Sequence, residues 1–276
     1  MEPREIEPRF AMFPSHLAER ARTVELEGVP TLLAHPDWEK PAPVMFWMHG
    51  RTVTKELDPG RYLRWIRAGI AAVAVDLPGH GQRPGPKLHG PDTTPGVLEE
   101  MLGEVDGVLE TLRASEFGAL FDLTRVGIGG MSAGGMVTLR RLCNEHSFSC
   151  AAVESTTGWL SELYNPKETK GRPWPAAHDP AQIQRLDPML HLDGFRPIPM
   201  LVLHSEADEV VPFEGMRRFV ESLRRHYEAE NADPGMIELK TWPTTGAPSE
   251  HAGFGKVASE AKSLQVEFLT KHLLRA

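Results

Sequence analysis

Apolar residues along this 276-residue chain fall into two alternating patterns. Short continuous runs bounded by Gly, Pro or Asp read as strands buried on both faces. Longer stretches with an apolar residue every three or four positions read as amphipathic helices. The runs are "PVMFWMHG", "GIAAVAVD", "RVGIGG", "SCAAVES", "IPMLVLHS" and "MIELKTW". Between them, Tyr62, Leu63, Trp65 and Ile66 predict a helix with Asp58-Pro59 as N-cap and first residue and Gly69 as its stop. Val97 to Leu112 keeps a 3.6-residue period almost without error, "GGMVTLRRLC" predicts a shorter helix, Phe213 to Tyr227 another, and Val257 to Leu274 the last. Alternation of this kind predicts an α/β protein, a mostly parallel, doubly wound sheet with helices on both faces. Ahead of it, "TVELEGVPTLLAHP" places Glu27-Gly28 between two apolar segments and predicts a hairpin.

Two stretches interrupt the rhythm. "GQRPGPKLHGPDTTPG" is a Gly/Pro-rich loop, and Trp159 to Phe195 is a long irregular insertion containing Trp, Tyr and Pro. With no repeat and no linker, the chain reads as one domain over residues 1–276 with a cap or lid at about 159–195. Composition changes this picture little: 41% hydrophobic and 25% charged residues are globular values. Charge does narrow the partners. A net charge of −8 without a Lys/Arg stripe argues against nucleic acid or an anionic membrane surface. "MEPREIEPRF" lacks the basic and apolar regions of a secretory leader, and "AGIAAVAV" is too short to span a bilayer, so a cytoplasmic protein is expected. Cys143 and Cys150 fit no metal or redox spacing and read as ordinary thiols rather than a disulfide.

The candidate chemistry centres on "VGIGGMSAGGM". Gly130-Met131-Ser132-Ala133-Gly134 is G-x-S-x-G between a strand and a helix, the context that raises the pattern above a chance match in a Gly-rich turn. A serine on such a turn is exposed at a strained backbone position, and glycines two residues to either side remove collisions with strand and helix. The helix N-terminus adds positive potential where an oxyanion would develop. Serine needs a base to take its proton and a carboxylate to orient that base. Asp208, in "LHSEADEVVP", follows the strand "IPMLVLHS". Of the three later histidines, His226 falls on a helix's polar face and His272 in the last helix. His251, in "GAPSEHAGFG", sits on a loop after the final strand. The order Ser132, Asp208, His251 is that of the α/β-hydrolases.

"MHGRTVTKE", "DLPGHG", "GGMSAGGM" and "HSEADEVVP" together resemble a serine hydrolase of the α/β-hydrolase superfamily. The likeness is to bacterial carboxylesterases related to dienelactone hydrolases and prolyl-oligopeptidase catalytic domains, over roughly residues 25 to 274. The resemblance implies an α/β-hydrolase fold and an oxyanion hole made by the backbone N–H groups of Ala133 and Arg51. It implies a carboxylesterase working on short-chain esters through an acyl-enzyme, with no cofactor or metal and a small-molecule ester as partner. Homodimerisation stays open. Serine at position 132 argues against dehalogenases, which need a carboxylate there. A thioesterase or peptidase-like acyl hydrolase is the alternative within enzymes, and a non-catalytic binding protein on the same fold is the alternative outside them.

His49, Trp159 and Tyr164 are the expected substrate contacts, with Trp174 beside them; the three aromatics serve equally well as packing for the insertion. Glu154, just past "CAAVE", is a second candidate for the triad acid but reads better as a structural or pocket carboxylate. His80 and His89 flank the Gly/Pro loop without ligand spacing to other metal-binding residues. For the Arg51 side chain, the simpler reading is an exposed pair with Glu56 or Asp58. The other is selection of substrates bearing a carboxylate.

Overall fold

A computed structural model describes residues 7–169 and 172–274. Its centre is an eight-stranded sheet: β1 Ala21–Leu26, β2 Val29–Ala34, β3 Ala42–Met48, β4 Ala71–Val75, β5 Phe121–Met131, β6 Cys150–Glu154, β7 Met200–Ser205 and β8 Ile237–Trp242. The spatial order is β1-β2-β4-β3-β5-β6-β7-β8. β1 and β2 form the expected hairpin, with both Glu27 and Gly28 at positive φ as a tight two-residue turn requires. β2 runs antiparallel to β4, and the remaining neighbours are parallel.

The helices are α1 Ser15–Ala18, α2 Pro59–Arg67, α3 Thr94–Ala114, α4 Ala133–Arg141, α5 Leu160–Tyr164, α6 Pro180–Leu186, α7 Phe213–Ala229 and α8 Ala258–Leu269. β3 shows why the parallel strands are continuously apolar. Val44, Phe46 and Met48 join the core beneath α3, α4 and α7, while Met45 and Trp47 join the core beneath α2 and α8. Each face is covered, so neither set of alternating side chains meets water. Among the described residues no helix is long and apolar enough to cross a membrane.

One local expectation needs correction. Asp58 precedes α2 but makes no side-chain cap. Its carboxylate instead takes the Lys262 ammonium at 2.8 Å and lies 3.3 Å from Arg61, charged partners that outcompete a backbone amide. The insertion after β6 holds two short helices. Its helices α5 and α6 pack on each other, and α6 packs beside α3. Asp187 ties it together, its carboxylate accepting from the amides of Leu160, Ser161 and Met189. Cys143 and Cys150 are buried free thiols, and burial pushes each up to about 12.

Candidate active site

The loops leaving β3, β5, β7 and β8 meet at one edge of the sheet, the carboxyl edge of its parallel strands, where open α/β sheets hold their ligands. β5 ends in the turn that presents Ser132, whose φ of 52° is in the left-handed region unfavourable to a side chain. Neighbouring backbone holds it there. The Ser132 amide donates to the Glu154 carbonyl at 2.9 Å, and the Thr156 hydroxyl donates to the Ser132 carbonyl at 2.8 Å. The flanking glycines are obligatory. A Cβ on Gly130 would lie 2.4 Å from the Gly134 carbonyl carbon, and one on Gly134 would lie 2.3 Å from the Met48 carbonyl oxygen. β3, the turn and α4 touch backbone to backbone.

Ser132 Oγ lies 2.9 Å from His251 Nε2, and His251 Nδ1 lies 2.8 Å from Asp208 Oδ2. A carboxylate only accepts, so Nδ1 carries the proton and Nε2 is the acceptor for the serine hydroxyl. Asp208 is buried, and its Oδ1 accepts from the amides of Val210 and Val211, both at 2.9 Å. Behind it, buried His204 donates from Nε2 to the Val211 carbonyl at 3.0 Å, and burial holds its pKa below the ordinary value. The His251 loop is anchored by its neighbour, Glu250. That carboxylate accepts from the Ser205 hydroxyl at 2.5 Å, the Thr245 amide and hydroxyl at 2.7 and 2.9 Å, and the Gly246 amide at 3.0 Å. These bonds, Ser205 foremost, hold Glu250 down at about 2.

A cavity of about 560 Å³ opens onto Ser132 and His251. Gly50, Arg51 and Ala133 border it on the nucleophile side, and Ala133 begins α4, where the first amides have no intrahelical acceptor. Met131, Met136, Trp174 and Phe254 form apolar walls. The floor is charged. Buried Arg61 and Glu154 pair through two parallel bonds of 2.6 and 2.8 Å, Gln265 donates to Glu154 at 3.0 Å, and the Arg61 guanidinium lies 4.3 Å from the Trp47 ring.

Ser132, Asp208, His251, Arg51 and Ala133 therefore converge at one place. Glu154 lies on the cavity floor, bound to Arg61 and not to His251. His49 borders the cavity, but its ring is committed to backbone: Nε2 accepts from the Leu77 amide at 3.1 Å and Nδ1 lies 2.6 Å from the Gly50 carbonyl oxygen. Trp159 and Tyr164 are not among the lining residues. Tyr164 is buried against Trp174 and His178, with ring centroids 5.1 and 4.9 Å away, and Trp159 borders a separate small pocket beside Glu162 and Pro212. Arg51 pairs with neither Glu56 nor Asp58. Its Nη1 donates to the His89 carbonyl oxygen at 2.6 Å, because Lys55 and Arg9 hold Glu56, and Lys262 and Arg61 hold Asp58. Glu250, Arg61 and Trp47 escaped sequence reasoning. Trp47 sits in a strand that reads as core and Arg61 on a helix beside its apolar positions, whereas Glu250, next to the one loop histidine, left a readable signal.

A mostly parallel sheet with a serine on its strand-to-helix turn defines the α/β-hydrolase class. The chain belongs to the prolyl oligopeptidase family, whose model matches residues 104–273. It is 26% identical over 210 residues to "Esterase YjfP" of Escherichia coli (strain K12), spanning 72% of this chain and 82% of that protein. Among solved structures it superposes on TT1662 from Thermus thermophilus with a TM-score of 0.68 at 21% identity, covering 93% of this chain and 100% of the other. An acylaminoacyl peptidase from Pyrococcus horikoshii gives a TM-score of 0.71 at 16% identity, covering 93% of this chain but 42% of the peptidase. The chain is a hydrolase of this esterase- and peptidase-like kind.

Proposed function

We propose that this protein is a serine carboxylesterase that cleaves short-chain carboxylic esters through an acyl-enzyme. The observation that carries the reading is the relay of two hydrogen bonds from Ser132 through His251 to Asp208, opening directly onto the cavity. Ser132 Oγ attacks the ester carbonyl as its proton passes to His251 Nε2. The imidazolium that forms is stabilised by the Asp208 carboxylate and returns the proton to the leaving alkoxide. Water then repeats the sequence on the acyl-serine, with His251 again as base. The N–H groups of Ala133 and Arg51 are the donors assigned to the oxyanion.

Esters are favoured over peptides by coverage. The match takes in most of the relative named an esterase, but less than half of the chain named a peptidase. Short acyl groups are favoured by the cavity floor. An alkyl chain extended beyond the walls of Met131 and Met136 would press against the buried Arg61–Glu154 pair, whose charges offer it no apolar burial.

The test is a series of p-nitrophenyl esters from acetyl to dodecanoyl. kcat/KM is expected to peak between acetyl and butyryl and to fall steeply by octanoyl. An apolar tunnel would instead add about 0.8 kcal/mol for each further methylene, so a maximum at octanoyl or beyond contradicts the short-chain reading.

A further inference from the structure

Five residues with formal charges line the cavity besides His251: Arg51, Arg61 and Lys262 as cations, Asp58 and Glu154 as anions. Glu154 is taken by Arg61 and Asp58 by Lys262. Arg51 is left as the cavity cation with no carboxylate partner among the described residues. Glu56, its nearest acidic neighbour in sequence, is held by Arg9 and Lys55.

Arg51 is nevertheless held in place. Its Nη1 donates to the His89 carbonyl oxygen at 2.6 Å, and its guanidinium lies 5.5 Å from the Trp174 ring centroid. The Trp174 indole N–H in turn donates to the Pro91 carbonyl oxygen at 2.9 Å. Both anchors come from the Gly/Pro-rich segment before α3, which thereby fixes a cation and an aromatic face beside the nucleophile. The anchors are neutral carbonyls, so the charge is positioned without being cancelled. One N–H of the fork is used, and the others are left for a ligand.

We infer that the preferred substrates are esters that also carry a carboxylate, bound by Arg51 against Trp174 while the ester carbonyl lies over Ser132; this rests on the esterase reading above. A guanidinium fork matches a carboxylate through two parallel bonds, and the indole face on one side strengthens them by excluding water. In a protein of net charge −8 the general field opposes an anion, so an unpaired cation beside the nucleophile discriminates locally. The bound group is remote from the reacting carbon, so its binding energy serves to orient the ester.

The experiment uses two matched pairs of esters: mono-4-methylumbelliferyl adipate against 4-methylumbelliferyl hexanoate, and 4-acetoxybenzoate against 4-acetoxybenzamide. The first puts the carboxylate on the acyl side, the second on the leaving group. In at least one pair kcat/KM for the anionic member is expected to be higher by roughly tenfold, the scale of a hydrogen bond to a charged group. Raising salt from about 0.05 to 0.5 M should erode that preference without moving the neutral member in the same way. Arg51→Gln should collapse the ratio, and Arg51→Lys should retain part of it. Using the ratio within each pair removes any common effect on the oxyanion donor at this position. Equal values within both pairs, or a preference unchanged by salt and by Arg51→Gln, would overturn the inference and leave the esterase reading standing. Failure of the wild-type protein to hydrolyse any of the four esters would overturn both.

Discussion

Asp208 and Glu154 are both buried carboxylates at strand ends, yet their partners give them different work. Asp208 spends one oxygen on two backbone amides and the other on His251. Glu154 spends both on Arg61. Asp208→Asn presents an amide N–H to the imidazole or fixes the wrong tautomer, and is expected to lower kcat by roughly a thousand- to ten-thousandfold. Glu154→Gln removes the two-bond partner of a buried guanidinium, leaving it Asp58 and Gln265, and should cost about 3 kcal/mol of stability, read as a lower urea midpoint. Its kcat, measured where the variant is folded, should fall far less. The reverse ranking would make Glu154 the triad acid. At this scale the sequence exposed Ser132, Asp208 and His251 because each lies in a turn or loop that follows an apolar run. It concealed the Arg51 environment, because that side chain is placed by a segment some forty residues on, through His89 and Pro91.

Two of the three segments that present the proposed triad are rigid for different reasons. The Ser132 turn is fixed by backbone contact through Gly130 and Gly134, which the G-x-S-x-G spacing made legible. The loop carrying His251 has no regular structure, and the Glu250 carboxylate collects it onto Ser205 at the end of β7 and onto Thr245 and Gly246. Glu250→Ala is therefore expected to lower kcat by roughly ten- to a hundredfold by loosening His251, with little change in global unfolding. Limited proteolysis should show faster cleavage within residues 245–255. Wild-type kcat together with unchanged proteolysis would show that the loop is held by something else. Strand and helix positions were readable from periodicity, since burial on both faces leaves continuous apolar runs. The insertion was not, because α5 and α6 are short and the insertion's aromatic residues, Trp159, Tyr164 and Trp174, fit a pocket wall or a packing core equally well in sequence.

The whole molecule carries buried titratable groups that link folding to pH. His80 is buried beside His49 and His89, and desolvation holds it down to about 4 from an ordinary 6.5. His146 is likewise lowered to about 4, first by burial and then by Arg196 and Arg141. Between those values the unfolded chain binds protons that the folded chain refuses. Their contribution to stability is therefore fully present above about pH 6.5 and is lost as pH falls toward 4. Urea midpoints should decline across that window, and His80→Asn, which keeps a donor for the Pro78 carbonyl, should make the decline shallower. An identical slope in the variant would assign the effect elsewhere. The mostly parallel sheet and its leading hairpin follow from the alternation of runs and helices. The cavity's size and charge arrangement do not, since they depend on Arg61, Asp58, Glu154 and Lys262 meeting from four distant parts of the chain.

The central claim is that Ser132 is the nucleophile of an ester-cleaving triad, and kcat of purified Ser132→Ala on p-nitrophenyl butyrate tests it most directly. The variant keeps the turn glycines and removes only the hydroxyl, so it should fold with an unchanged circular dichroism spectrum. Its kcat should fall by roughly ten-thousandfold or more, the scale of losing a triad nucleophile. Turnover within a few-fold of wild type would contradict the account.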